Sequence, residues 1–151
     1  MPVLLPKDSI DAAIGAYAIE GQGSDASQKF SIYPNLTDNF DFDKNGRFES
    51  KSGAFLLKSK SGFGVIAKGK GRHANEALVA IRGTATLKDW LTDGNIATQM
   101  SSTGKVVHAG FNRVFKEFES DLRMFFARND ISRVHCVGHS LGGALAGMTA
   151  E

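Results

Sequence analysis

Ser140 sits in a run suited to a reactive hydroxyl: Gly138-His139-Ser140-Leu141-Gly142-Gly143. The pattern is G-x-S-x-G. The apolar residues Val134–Val137 before it read as a strand, and the small residues Ala144–Ala150 after it read as a helix. A serine on so sharp a turn is pushed out of the backbone with its hydroxyl exposed. The turn crowds the chain on both sides, and Gly138 and Gly142 remove the Cβ atoms that would clash there. The helix N-terminus beneath the serine offers unpaired N–H groups and a positive dipole end. The Leu141 N–H can then hold the oxyanion of a tetrahedral intermediate. The spacing therefore predicts nucleophilic acyl transfer by Ser140, with Gly138, His139 and Gly142 forming the elbow. The bland alternative is a helix-capping serine in a tight turn.

A second group of residues closes an apolar strand at Ile81-Arg82-Gly83-Thr84, followed by Leu87-Lys88-Asp89-Trp90-Leu91-Thr92-Asp93 and, further on, His108-Ala109-Gly110-Phe111. Taken with the elbow, this series resembles the lipase class 3 family in order and spacing, from about Leu78 to the end. The resemblance implies an α/β-hydrolase fold and hydrolysis of a lipid ester by a triacylglycerol lipase or phospholipase A1. It implies that the Thr84 N–H is the second half of the oxyanion hole, with Asp93 orienting the Thr84 hydroxyl. It places Trp90 in the family's lid region, facing the acyl chain, and gives His108 a supporting role rather than that of the base. No cofactor is required. The implied partner is a lipid ester substrate, reached by transient contact with a membrane or lipid interface.

A serine hydrolase also needs a base and an acid to orient it, and in α/β-hydrolases these follow the serine in the chain. After Ser140 the sequence offers only Glu151 as an ionisable group, and no histidine. His135 and His139 are too close in sequence to reach round the elbow, and His73 lies in a turn before the central strand. Residues 1–151 are therefore expected to be the N-terminal portion of a single α/β-hydrolase domain, inactive alone. The triad Asp and His would come from sequence beyond residue 151 or from a second chain. The alternative is a catalytically inactive, hydrolase-like binding or regulatory module that kept the elbow.

The elements that must position these residues are legible in outline. Ile10, Ala13, Ile14, Tyr17 and Ala18 fall on one face at helical spacing, predicting a helix over Ser9–Glu20, capped by Ser9 or Asp8 and ended by Gly21. A long polar connection, 21–52, follows. Strands are expected at Ala54–Lys60, Phe63–Lys68 and Ala77–Ile81, with Ser61-Gly62 as a hairpin turn. The last strand is continuously apolar, as for one covered on both faces. Leu87–Ala97 is a mixed amphipathic stretch and Met100–Lys105 a polar loop. Val114, Phe115, Phe118, Leu122, Phe125 and Phe126 form the buried stripe of a helix over Phe111–Arg128. Arg133–Val137 is a strand, and Leu141 onward a helix. This order predicts an α/β protein with a mostly parallel central sheet and flanking helices, incomplete within this chain.

Composition narrows the rest. The net charge of +2 is too small to argue for nucleic acid, and Lys68, Lys70 and Arg72 are separated by glycines as in a solvated turn. A single cysteine, Cys136, excludes an internal disulfide. There is no signal-peptide pattern at the start and no apolar run near the roughly 18 residues of a membrane span. Localisation is left open between the cytoplasm and export by a signal-less route. Asp41, Asp43 and Asn45 copy the first half of a calcium loop, but the twelfth position is Ser52; a polar turn explains the segment more simply. Gly62-Phe63-Gly64 does not stand between a strand and a helix, so it is no dinucleotide fingerprint.

Overall fold

The computed structural model describes residues 3–19, 25–43, 46–50, 61–83 and 97–151. In chain order these hold α1 (Pro6–Tyr17), α2 (Ala26–Phe30), α3 (Pro34–Asn39), β1 (Phe40–Asp41), β2 (Arg47–Ser50), β3 (Ser61–Gly69), a 3-10 turn (Gly71–His73) and β4 (Glu76–Ile81). Then follow β5 (Thr98–Met100), β6 (Val106–His108), α4 (Ala109–Arg128), β7 (Arg133–Gly138) and α5 (Leu141–Thr149). The architecture is α/β, as expected, but among the described residues the main sheet is mixed rather than mostly parallel, with only β4 and β7 paired in parallel.

Among the described residues the main sheet runs β1-β3-β4-β7, with β2 also paired to β3. β1, β2 and β4 all pair antiparallel with β3, whereas β4 and β7 are parallel, from Glu76↔Arg133 to Ile81↔Gly138. A parallel pair needs a crossover, and α4 lies within it. β4 is the central strand: Leu78, Val79, Ala80 and Ile81 are all fully buried. Its alternate side chains feed two cores. Leu78 and Ala80 pack with Ala12, Ala16 and Phe30 under α1 and α2. Val79 and Ile81 pack with Phe118, Leu122 and Leu145 under α4 and α5. Phe118 anchors the second core, with the rings of Phe48, Phe115 and Phe63 at 4.8, 5.4 and 5.8 Å.

Several expectations are corrected. α1 begins at Pro6, whose fixed φ suits the first helical turn, and its N-cap Leu5 makes no side-chain cap. Its inner face is Asp8, Ala12, Gly15 and Ala16, not the bulkier stripe. Small residues let the helix approach closely: a Cβ on Gly15 would stand 2.7 Å from the Phe30 ring. Ile10 and Ile14 are instead more than half exposed, and with Tyr17 they line a groove against β7 and the side of α5. Ser61-Gly62 is not a turn but the start of β3, paired with β2. Ala54–Lys60 lies outside the described residues. The polar connection contains α2, α3 and two strands, and Met100–Lys105 is the bend of a β5–β6 hairpin. Phe125 and Phe126 at the end of α4 are only partly buried.

Asp41 is an exposed residue of β1, and the Asp43 carbonyl accepts the Gly46 N–H in a turn leading to β2; Asn45 lies outside the described residues. The flanks are strands rather than the helices of a calcium hand. Among the described residues, no helix is long and apolar enough to cross a membrane.

Candidate active site

The site forms where β7 bends into α5. Ser140 has φ 57° and ψ −124°, one of two non-glycine residues with positive φ among those described. Such a conformation costs on the order of 1–3 kcal/mol and persists only where the surroundings impose it. Here they do. Gly138 and Gly142 abut so tightly that a Cβ on either would overlap backbone: that of Gly142 and Gly143 in the first case, the carbonyls of Ile81 and Arg82 in the second. The turn is then pinned by Gly142 N–H to the His139 carbonyl at 3.0 Å and Gly143 N–H to the Ser140 carbonyl at 2.9 Å.

The Ser140 side chain is exposed and makes no capping hydrogen bond to α5. The helix-capping alternative requires that bond. Leu141 is the first residue of α5, so its N–H has no intrahelical acceptor. A hydroxyl and a free amide thus stand together at the positive end of a helix dipole.

The segment leaving β4 runs directly past the elbow. A Cβ on Gly83 would lie 2.6 Å from the His139 carbonyl oxygen and 3.2 Å from Ser140 Cβ. Arg82 is held beneath by its N–H to the Phe63 carbonyl at 3.0 Å and its guanidinium over the Phe63 ring at 5.5 Å. Thr84, Trp90 and Asp93 lie outside the described residues, two, eight and eleven positions past Arg82.

The chain's histidines fall in separate places. His139 is exposed, and its Nδ1 is 2.9 Å from the Tyr17 hydroxyl. His108 is the N-cap of α4: its Nδ1 accepts the Gly110 N–H at 3.2 Å, and its ring packs on Phe111 at 4.9 Å. His73 and His135 meet at the opposite end of the sheet. None hydrogen-bonds the Ser140 hydroxyl. Tyr17 was hidden from sequence reasoning by its place in the apolar stripe of α1, which reads as core. Cys136 precedes the elbow in β7, and burial pushes its thiol up to about 11.

Residues 78–151 match the family of class 3 lipases. No curated protein sequence matches the chain. Among solved structures, the chain is similar to a triacylglycerol lipase with a serine-protease triad as its catalytic centre. That likeness has a TM-score of 0.58 at 15% identity and covers 95% of this chain and 52% of that one. It is also similar to the triacylglyceride lipase of Rhizomucor miehei, with a TM-score of 0.53 at 15% identity, covering 96% of this chain and 54% of the other. The chain therefore spans about half the length of these lipases. The sequence match at the elbow and the fold around it agree: residues 78–151 are similar to the class 3 lipases, and the chain has an α/β-hydrolase fold spanning about half the length of those enzymes.

Proposed function

We propose that this chain carries the nucleophile of a carboxylic ester hydrolase acting on lipid esters, a triacylglycerol lipase or phospholipase A1. The observation that carries this reading is Ser140 itself. Its exposed hydroxyl sits at strained positive φ, uncapped, at the N-terminus of α5. Strain of this kind is kept where it serves a purpose.

In the mechanism proposed, Ser140 Oγ attacks the ester carbonyl carbon and its proton passes to a histidine base. The carbonyl oxygen becomes an oxyanion, held by the N–H groups of Leu141 and Thr84, with Asp93 orienting the Thr84 hydroxyl. Collapse breaks the ester C–O bond, and the alcohol leaves with the proton. Water then hydrolyses the acyl-enzyme by the same path in reverse order of proton transfer. Trp90 would face the acyl chain. The histidine and its orienting acid are supplied by sequence outside residues 1–151, in the same polypeptide or on a second chain. That segment would also cover the apolar groove of Ile10, Ile14 and Val137 beside β7. Residues 1–151 thus form the N-terminal portion of one domain and are inactive alone.

One observation favours a second reading, a catalytically inactive binding or regulatory module: none of the four histidines reaches the Ser140 hydroxyl. A serine-directed fluorophosphonate probe distinguishes the two. The full-length protein is expected to be labelled, and Ser140→Ala to abolish labelling. A folded, complete protein that resists the probe would establish the second reading.

A further inference from the structure

At the end of the β4–β7 pair remote from Ser140, three side chains converge on one point. His73 Nδ1 and His135 Nε2 each lie 2.7 Å from the same oxygen, Glu76 Oε2. His73 and Glu76 are 2% and 5% exposed, so the meeting point is shielded from water. The ring of Phe40 packs against both imidazoles, at 5.0 and 6.1 Å, which fixes their planes. The backbone is equally fixed. The His73 N–H bonds the Lys70 carbonyl at 2.9 Å, and the Asn75 carbonyl accepts both the N–H and the hydroxyl of Ser132, at 2.7 and 3.1 Å. The 3-10 turn and the starts of the two parallel strands are thereby tied into one frame.

We propose that His73, Glu76 and His135 form a zinc-type transition-metal site at the end of the sheet opposite the elbow. Their ligating atoms all lie within 4.8 Å of one another. A tetrahedral zinc ion, about 2.0–2.1 Å from each donor, needs them roughly 3.3 Å apart. To reach that geometry the two His–Glu contacts would open from 2.7 Å by roughly 0.6 Å, and the widest separation would close from 4.8 Å by up to roughly 1.5 Å. Two imidazoles and one carboxylate are a zinc donor set, and a water completes the fourth position. Glu76 Oε1 already lies 3.4 Å from the Arg133 guanidinium, so Oε2 can bind the metal while Oε1 is held from outside. Outer hydrogen bonds of this kind orient ligating carboxylates in metal sites.

The chemistry balances without redox change. His73 Nδ1 and His135 Nε2 both face Glu76 Oε2. On metal binding these two nitrogens ligate, and any proton either carries passes to its other ring nitrogen or to solvent. Five residue steps separate Glu76 from Ile81, so the site lies roughly 17 Å along the sheet from the elbow. A bound ion there would tie the 3-10 turn to β4 and β7, and the site stands whether or not Ser140 is a nucleophile.

The test uses the metal-free full chain titrated with Zn2+ by calorimetry and with Co2+ by visible absorption. One equivalent is expected to bind, with a tetrahedral cobalt spectrum and a raised unfolding temperature. His73→Gln and His135→Gln should each weaken binding on the order of 100-fold. No saturable uptake by the wild-type chain overturns the site, as does uptake that is unchanged in the double variant. Nitrogen NMR of the imidazoles needs no variant, so it decides the matter even if the variants fail to fold. Zinc should move the His73 Nδ1 and His135 Nε2 resonances and leave His108 and His139 in place. Shifts confined to His108 or His139 count as a refutation.

Discussion

The hydroxyl of Tyr17, in the last turn of α1, lies 2.9 Å from Nδ1 of His139, beside Ser140 in the elbow and 122 residues further along the chain. This bond makes α1 a brace for the turn that presents the serine. Tyr17→Phe removes the hydroxyl and leaves the ring. A hydrogen bond of this kind contributes about 0.5–1.5 kcal/mol, so the rate of fluorophosphonate labelling at Ser140 in the full-length protein should fall roughly 3- to 10-fold. Unchanged labelling in a folded variant would mean that the brace does not bear on the nucleophile.

The strain at Ser140 has a direct stability signature. Ser140→Ala keeps a Cβ at positive φ, whereas Ser140→Gly removes it. The glycine variant should be more stable than the alanine variant by about 1 kcal/mol or more, equivalent to roughly 2–4 °C in unfolding temperature for a chain this size. Both should lose labelling. Equal melting temperatures would argue that the turn is relaxed.

Gly142 should tolerate nothing larger. A methyl there meets the carbonyls of Ile81 and Arg82, which belong to the central strand and its exit and cannot retreat without breaking the sheet. Gly142→Ala is expected to cost about 1–3 kcal/mol in denaturant unfolding and to abolish labelling. Gly147→Ala on the same helix is the control, since a Cβ there meets nothing within 4 Å.

Phe118 is fully buried against three aromatic rings, whereas Phe126 only borders that core. Phe118→Ala should cost about 3–5 kcal/mol, and Phe126→Ala clearly less. Comparable losses would show that the end of α4 is packed by something further.

Cys136 offers a pH-dependent readout. Burial disfavours the thiolate and holds the thiol pKa at about 11. At pH 8 only about one molecule in a thousand carries a thiolate, against roughly one in four for a thiol titrating near 8.5. Reaction with a disulfide reagent should therefore be slow at pH 8 and accelerate about tenfold per pH unit up to the pKa. Rapid modification at neutral pH would contradict this burial.

What could be read along the chain is whatever depends on near neighbours. The elbow is a six-residue pattern, Gly138 to Gly143, and its neighbours Val134–Val137 and Ala144–Ala150 announce the strand and helix that give it meaning. β4 is legible because Leu78-Val79-Ala80-Ile81 leaves no polar face. α4 is legible because its stripe holds one period from Val114 to Phe126. Three things lay beyond that reach, each set by distant packing. A 3.6-residue period identifies α1 as a helix but not the face it buries; Gly15 and the small alanines decided that by letting Phe30 and the sheet approach closely. Ser61-Gly62 has turn chemistry, yet pairing with β2 drew it into a strand. His73, Glu76 and His135 carry no motif, since His135 stands 59 residues from its carboxylate. Only the parallel pairing of β4 with β7 brings those side chains together, and the same pairing delivers Gly83 to Ser140 at the other end.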